Sequence, residues 1–417
     1  MVPKILLTAT VPWPSIARLA GGFAEAGCMV DALSPRWAPL TASRYVTKNY
    51  PYRPLSPLAS LHAAVDSSQP GLIVPCDDRA VSQLLQLYDA ANRAEPRLAA
   101  LIRRSLGNPE NYSRLASRSG FIATARKLGI SAPETFPLAS ERDLDDRLSS
   151  FGLPAVLKAD GSWGGDGIAI VRNHEEAVTN FRRLSSLSSR WRNLARAVRR
   201  RDMNYLFVAL TPQTQAVSIQ RFVPGTQATT CFAAWEGKVV AAFHMDVLVA
   251  QDTTGPANVI KRVDNPEMDE AARRIAQRFS LSGLHGLDYI RDAGGKAHLL
   301  EINPRSAQAS YLPFGPTRDL PAALAASLAR TEIAARPALE ADTVAFFPRE
   351  WQRDPASPYL VSAFHDVPWD DPAVLRACLG FPVDKGTSHP LPPGLSPKME
   401  RTKPSAQAGF APARHIS

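Results

Sequence analysis

Residues 286–305, GLDYIRDAGGKAHLLEINPR, constrain the fold of this chain more than any other segment. Two largely apolar runs flank Gly294-Gly295, and a glycine pair between such runs predicts a two-residue hairpin turn. Ala293 then faces Lys296, and counting back along both strands sets Asp288 directly opposite Glu301. Strand side chains alternate, so Asn303 falls on the same face. Like charges across a ladder repel, and a cation between them removes the repulsion. Two carboxylates and an amide oxygen are hard donors of the kind magnesium takes, usually together with phosphate oxygens. Asp288, Glu301 and Asn303 are therefore the expected metal ligands, with manganese as the other ion such a set accepts.

A second segment, LPAVLKADGSWGGDGIAIV at 153–171, predicts a strand ending in Lys158, a glycine-rich loop over 161–167 and a second strand from Ile168 to Val171. Glycines let the backbone approach a polyphosphate and turn its N–H groups toward oxygens, and a lysine at the strand end adds a point charge. Lys158, Gly164, Gly165 and Gly167 are the expected phosphate contacts. Neither GxxxxGK[ST] nor GxGxxG is present, and a strand rather than a helix follows the loop, which excludes a P-loop.

Together these residues resemble the ATP-grasp superfamily over roughly 1–335. In that family a strand lysine precedes a glycine-rich flap, a hinge strand reads adenine, and a terminal hairpin ends in Glu-x-Asn. The hinge corresponds to Gln220-Arg221-Phe222-Val223, followed by Pro224-Gly225. Arg118 matches a further basic residue by its spacing to Gly129 in LGISAP. Gln220 and Gln227 stand where the family usually has acids, which keeps hydrogen bonding and loses charge. Arg305 resembles the family arginine that faces phosphate or a substrate carboxylate, and with Lys158 it is the expected catalytic residue. The resemblance implies an α/β chain of ATP-grasp fold, in which an N-terminal parallel α/β domain precedes two α+β lobes that hold ATP between them. The expected boundaries are 1–110 for the N-terminal domain, 111–225 for the lobe with the flap, and 226–335 for the lobe with the metal hairpin. A small region at 336–384 and a disordered, proline-rich tail at 385–417 follow.

ATP and magnesium are the implied cofactors. The implied reaction is ligation of a small-molecule carboxylate to an amine or thiol through an acyl phosphate, with release of ADP. A bicarbonate-phosphorylating enzyme, similar to the large chain of carbamoyl-phosphate synthase, is the first alternative, and a nucleotide-binding regulatory module is the second.

The remaining features exclude other classes. No apolar run is long enough to cross a bilayer, and the start, MVPKILLTATVPWPS, reads as a first strand, so a cytoplasmic protein is expected. Four scattered cysteines form no CxxC pair and no HExxH occurs, which argues against a disulfide frame and a zinc site. The net charge of +9 comes without interleaved aromatic and basic residues, so no nucleic-acid partner is expected. Eight arginines between 182 and 201 surround an apolar stripe at Trp191, Leu194, Ala195 and Val198, leaving a packed helix or a dock for an acidic partner as alternatives. A homodimer also stays open. In PCDDRA, Asp77, Asp78 and Arg79 end a strand where open α/β sheets collect ligands, although Asp77 also suits a helix cap. Lys261 and Arg262 are either further substrate contacts or a surface pair.

Overall fold

The computed structural model describes residues 2–160, 167–185, 216–251 and 255–380. Three sheets organise them. The first has strands β1 (Lys4–Thr8), β2 (Met29–Ser34), β3 (Val46–Pro51) and β4 (Leu72–Pro75), all parallel, in the order β3-β2-β1-β4. Parallel neighbours need crossovers, and the helices Pro14–Glu25 and Pro57–Ser68 supply two of them. The central strands are apolar on both faces because both are covered: Leu6 and Ile73 join one core, while Ile5, Leu7, Leu72 and Val74 join another. The sequence reading passed over β3. It is an edge strand, VTKNYP, with mostly exposed polar side chains and no apolar alternation to reveal it.

The second sheet is antiparallel. Its strands β5 (Thr135–Leu138), β6 (Ala155–Ala159), β7 (Ile168–Val171) and β8 (Val217–Arg221) run in the order β5-β8-β6-β7. Ala155, Leu157, Ala159, Val217 and Ile219 pack with Leu144, Leu148, Phe181 and Leu184 of the helices Glu141–Phe151 and His174–Ser185. Alternation sends Val156, Lys158, Ser218 and Gln220 to the opposite face.

The third sheet has seven strands: β9 (Thr226–Trp235), β10 (Lys238–Ala250), β11 (Ala257–Val263), β12 (Gly283–Arg291), β13 (Ala297–Asn303), β14 (Thr343–Ala345) and β15 (Phe364–His365). Their order is β13-β12-β9-β10-β11-β14-β15. One face packs on the helices Arg118–Lys127 and Pro266–Phe279 through Phe121, Phe232, Phe279 and Tyr289. The other contributes Cys231, Phe243 and Ile260 to the core shared with the first sheet.

Residues beyond 335 do not stand apart. β14 and β15 extend the third sheet, and Asp366 ties this region to the amino-terminal helix by accepting from Arg18 at 3.0 Å and from the Tyr311 hydroxyl. Most of the glycine-rich loop (161–166), most of the arginine-rich segment (186–215) and the proline-rich tail lie outside the described residues.

Candidate active site

The hairpin formed by β12 and β13 pairs Asp288 with Glu301, but not by the turn expected from the sequence. Asp292, not Ala293, faces Lys296: the Asp292 amide donates to the Lys296 carbonyl at 3.1 Å, and the Gly295 amide donates to the Asp292 carbonyl at 2.9 Å. Gly295 takes φ +83°, the left-handed residue of a three-residue loop. The turn is thus displaced by one residue, and Tyr289 faces Leu299. Leu300 then bulges out of the ladder, restoring the count so that Asp288 meets Glu301. The two departures cancel. A glycine pair marks a turn without fixing its length, and nothing in LLEIN announces the bulge.

Around this pair the three sheets converge. Arg118 opens the helix Arg118–Lys127, whose N-cap is Ser117. Its Nε donates to Glu301 Oε2 at 3.1 Å, and its Nη1 donates to the carbonyl of Ala159, the residue after Lys158. One guanidinium therefore bridges the hairpin of β12 and β13 and the strand of Lys158. Asp288 accepts from Thr229 Oγ1 at 3.0 Å and from Asn303 Nδ2 at 2.8 Å. Arg305 Nη2 donates to Asn303 Oδ1 at 3.1 Å, and its Nε donates to Asp78 Oδ2 at 3.1 Å, linking the hairpin to the carboxyl end of β4. Trp13, which the sequence reading did not single out, lies against the Arg305 guanidinium, 5.3 Å from ring centroid to carbon. An aromatic in the loop after β1 was the only signal for it.

The hinge residues divide. Gln220 is buried on the Lys158 face and donates to Thr135 Oγ1 at 2.9 Å. Phe222 and Val223 follow, half-buried, and Gln227 sits on the face of β9 that carries Thr229 and so Asp288. The Arg221 side chain is a correction. Strand alternation turns it to the helix side, where it pairs with Glu134 at 3.0 Å and lies over Phe151, so only its backbone remains for a ligand in the cleft. Gly225 packs its α-carbon against the Arg291 carbonyl, which a β-carbon there would meet at 2.0 Å. Gly167 is in place, its carbonyl accepting from the Ala159 amide at 2.8 Å, whereas Gly164 and Gly165 lie outside the described residues. Asp77 is a cap and not a ligand contact: it is buried and accepts from the amides of Ala80 and Thr10. Arg262 pairs with Asp342 on the surface.

Electrostatics mark the cluster as one that expects a ligand. Burial and then the Glu301 charge push the Asp288 carboxyl up to about 6. Burial also raises Glu301, but Arg118 and Lys158 outweigh it and hold that carboxyl below its ordinary value. Lys158 is 3% exposed, and burial, with Arg118 adding to it against the pull of Glu301, brings its ammonium down to about 8. A cation between the acids and an anion beside the lysine would each relieve a strained charge. The donor set of two carboxylates and an amide oxygen fits magnesium or manganese. Among the described residues no group of three or more His, Cys, Asp or Glu is placed to hold a metal. A cavity of about 520 Å³ lies on the other face of the hairpin, lined by Tyr289, Lys296 and Glu267, and contains none of these groups.

No protein-family model matches the chain, and no curated protein does. Solved structures do match in fold. The biotin carboxylase domain of Hydrogenobacter thermophilus 2-oxoglutarate carboxylase, in complex with MgADP, ADP and bicarbonate, aligns with a TM-score of 0.58 at 15% identity, covering 82% of this chain and 72% of that one. N5-carboxyaminoimidazole synthase from Aspergillus clavatus, in complex with ADP and 5-aminoimidazole ribonucleotide, aligns with a TM-score of 0.57 at 12% identity, over 81% and 78%. N5-carboxyaminoimidazole ribonucleotide synthetase from Thermus thermophilus gives 0.53 at 16% identity, over 79% of each chain. The chain has the ATP-grasp fold.

Proposed function

We propose that this protein is a magnesium-dependent ligase that uses ATP to activate a carboxylate and joins it to an amine or thiol. The observation that carries the reading is the Arg118 bridge, which gathers Glu301, Asp288 and Asn303 of one sheet and Lys158 of another around a single cleft. Lys158 and Arg118 supply positive charge for a polyphosphate, and the half-buried apolar residues Val156, Ile168 and Ile170 offer the Lys158 face of their sheet to a purine. Asp288, Glu301 and Asn303 would hold the metal, which when bound offsets charge on the transferring phosphoryl. A carboxylate oxygen of the substrate attacks the γ-phosphorus, and the bond to the β-phosphate oxygen breaks, so ADP leaves. The amine or thiol then attacks the acyl carbon, and inorganic phosphate departs with the electron pair of the carbon–oxygen bond. Arg305, held by Asp78 and Asn303 beside the carboxyl ends of β1 and β4, is placed to orient the carboxylate or the acyl phosphate with its planar fork.

Bicarbonate phosphorylation is the second reading, favoured by the bicarbonate in the Hydrogenobacter thermophilus structure. ADP release, measured across amino acids and small carboxylates with and without added bicarbonate, separates the two. Release that depends on an organic carboxylate supports the ligase, and release that depends on bicarbonate alone supports the alternative. Magnesium-independent release, or none with any substrate, sinks both.

A further inference from the structure

The hairpin that pairs Asp288 with Glu301 carries a second polar set on the same face. Two residues further along β12, about 7 Å away, Ile290 pairs with His298 of β13. Ala297 and Leu299 turn to the core on the other face, so alternation sends His298 to the face of Asp288 and Glu301. Its half-buried imidazole has two partners: Ser131 Oγ lies 3.1 Å from Nδ1, and Asp292 Oδ2 lies 2.8 Å from Nε2. Ser131 runs beside β13, where its carbonyl accepts from the Leu299 amide at 2.8 Å. Its neighbours Ile130 and Ala132 join the core on the other face.

Donors and acceptors in this set have one consistent arrangement. The hydrogen bond from His298 holds the Asp292 carboxyl below its ordinary value, so the group is ionised and can only accept. Nε2 therefore carries the imidazole proton, Nδ1 of the neutral ring accepts, and the Ser131 hydroxyl gives its one proton to that nitrogen. Only lone pairs are left on Ser131 Oγ, which faces any further partner as an acceptor. Asp292 is fixed in turn, because its Oδ1 accepts from the amides of Gly294 at 2.9 Å and Lys296 at 3.0 Å, leaving Oδ2 for His298.

The hinge comes down on β12 at this pair, since a β-carbon on Gly225 would lie 2.8 Å from Ile290 Cγ2. Ser131 is also four residues before Thr135, the partner of Gln220 in both strand pairing and side-chain hydrogen bond. The hinge and the segment 131–134 thus both cross between the second and third sheets here. A nucleotide with its phosphates at Asp288 and Glu301 and its base at the hinge lies along the hairpin toward Ile290 and His298. We propose that Ser131 reads the nucleobase as a hydrogen-bond acceptor, with His298 and Asp292 as positioning residues that fix its polarity. The site then selects a purine with an exocyclic amino group over one with a carbonyl at that position, whose oxygen would meet the serine lone pairs. This inference rests on the ATP-dependent reading of the site.

The test is calorimetric titration of ATP and of ITP, whose base has a carbonyl where adenine has its amino group, into wild type, Ser131→Ala and Asp292→Asn with magnesium present. Wild type should prefer ATP at least about tenfold, the worth of one hydrogen bond made in place of an acceptor left unpaired. Ser131→Ala should weaken ATP by about that factor and leave ITP unchanged. In Asp292→Asn the carboxamide oxygen keeps the amides of Gly294 and Lys296, so its NH2 faces Nε2. The ring proton then moves to Nδ1, the hydroxyl of Ser131 is released to donate, and the preference should shift toward ITP. Nitrogen-labelled histidine, with the His298 signal identified by His298→Gln, should show the Nε2–H tautomer in wild type and the Nδ1–H tautomer in Asp292→Asn. Equal losses for ATP and ITP in both variants make the set a structural clamp and overturn the proposal, as does the Nδ1–H tautomer in wild type. Wild type that binds neither nucleotide overturns the ligase reading and this one together, whereas binding with no preference between ATP and ITP overturns this one alone.

Discussion

Lys158 shows how a single buried charge costs stability that a bound anion would return. Its ammonium, held near 8 from an ordinary 10.5, stays charged at pH 7 while buried next to Arg118. A base whose folded pKa is lowered costs stability wherever the unfolded chain is still protonated, here at every pH below the folded value, by about 3 kcal/mol before ligand binds. Lys158→Met should therefore leave the ligand-free melting temperature unchanged or higher while abolishing the stabilisation that ATP gives; a large drop in the ligand-free value contradicts this. His285 carries a different prediction. It is 1% exposed, donates to the Ser282 carbonyl at 2.9 Å, and burial brings its imidazole down to about 4. A folded pKa below the unfolded value near 6.5 means the folded state excludes the proton. The stability contributed by His285 is full above about pH 6.5 and falls as pH drops toward 4, by about 3 kcal/mol in all. Urea midpoints between pH 8 and pH 4.5 should show that decline in wild type and a shallower one in His285→Phe. Equal slopes for the two proteins rule the group out.

Among the elements, the hairpin and the hinge show what a sequence does and does not disclose. The pairing of Asp288 with Glu301 was legible because the residue types and the glycine pair constrain it, yet the displaced turn and the bulge at Leu300 were not. Deleting Leu300 removes the bulge and places Glu301 directly after Leu299, so regular alternation keeps it opposite Asp288; the protein should fold and retain magnesium-dependent ADP release. Loss of release with the fold intact would show that the bulge itself positions Glu301. At the hinge, Gly225 has φ +156° and a β-carbon there would meet the Arg291 carbonyl at 2.0 Å. Gly225→Ala should destabilise the chain by more than about 2 kcal/mol, because backbone on both sides must shift, as denaturant midpoints will register. Arg221 was assigned to the cleft by its place in the motif. Alternation along β8, readable once the strand ends are known, turns it the other way.

For the whole molecule, the N-terminal α/β alternation and the two later lobes could be read because long apolar segments carry them. The C-terminal residues could not: β14 and β15 are three and two residues long, and their role is set by partners more than 300 positions away, such as Arg18. Asp366 is 2% exposed and holds Arg18 and the Tyr311 hydroxyl. Breaking one side of a buried pair strands the other charge, so Asp366→Ala should cost about 3 kcal/mol and loosen the C-terminal segment to proteolysis; unchanged digestion would show that other contacts hold it. Asp288, Glu301 and Asn303 are proposed to hold the metal of a nucleotide gripped by Lys158 of the facing sheet and by Arg118 at the start of its helix. Calorimetric titration of a non-hydrolysable ATP analogue, with and without magnesium, into wild type and Glu301→Gln tests this central claim most directly. The predicted result is that magnesium tightens binding to wild type at least about tenfold and has little effect on the variant, which still folds. Equal magnesium enhancement in both proteins, or no nucleotide binding in either, would contradict it.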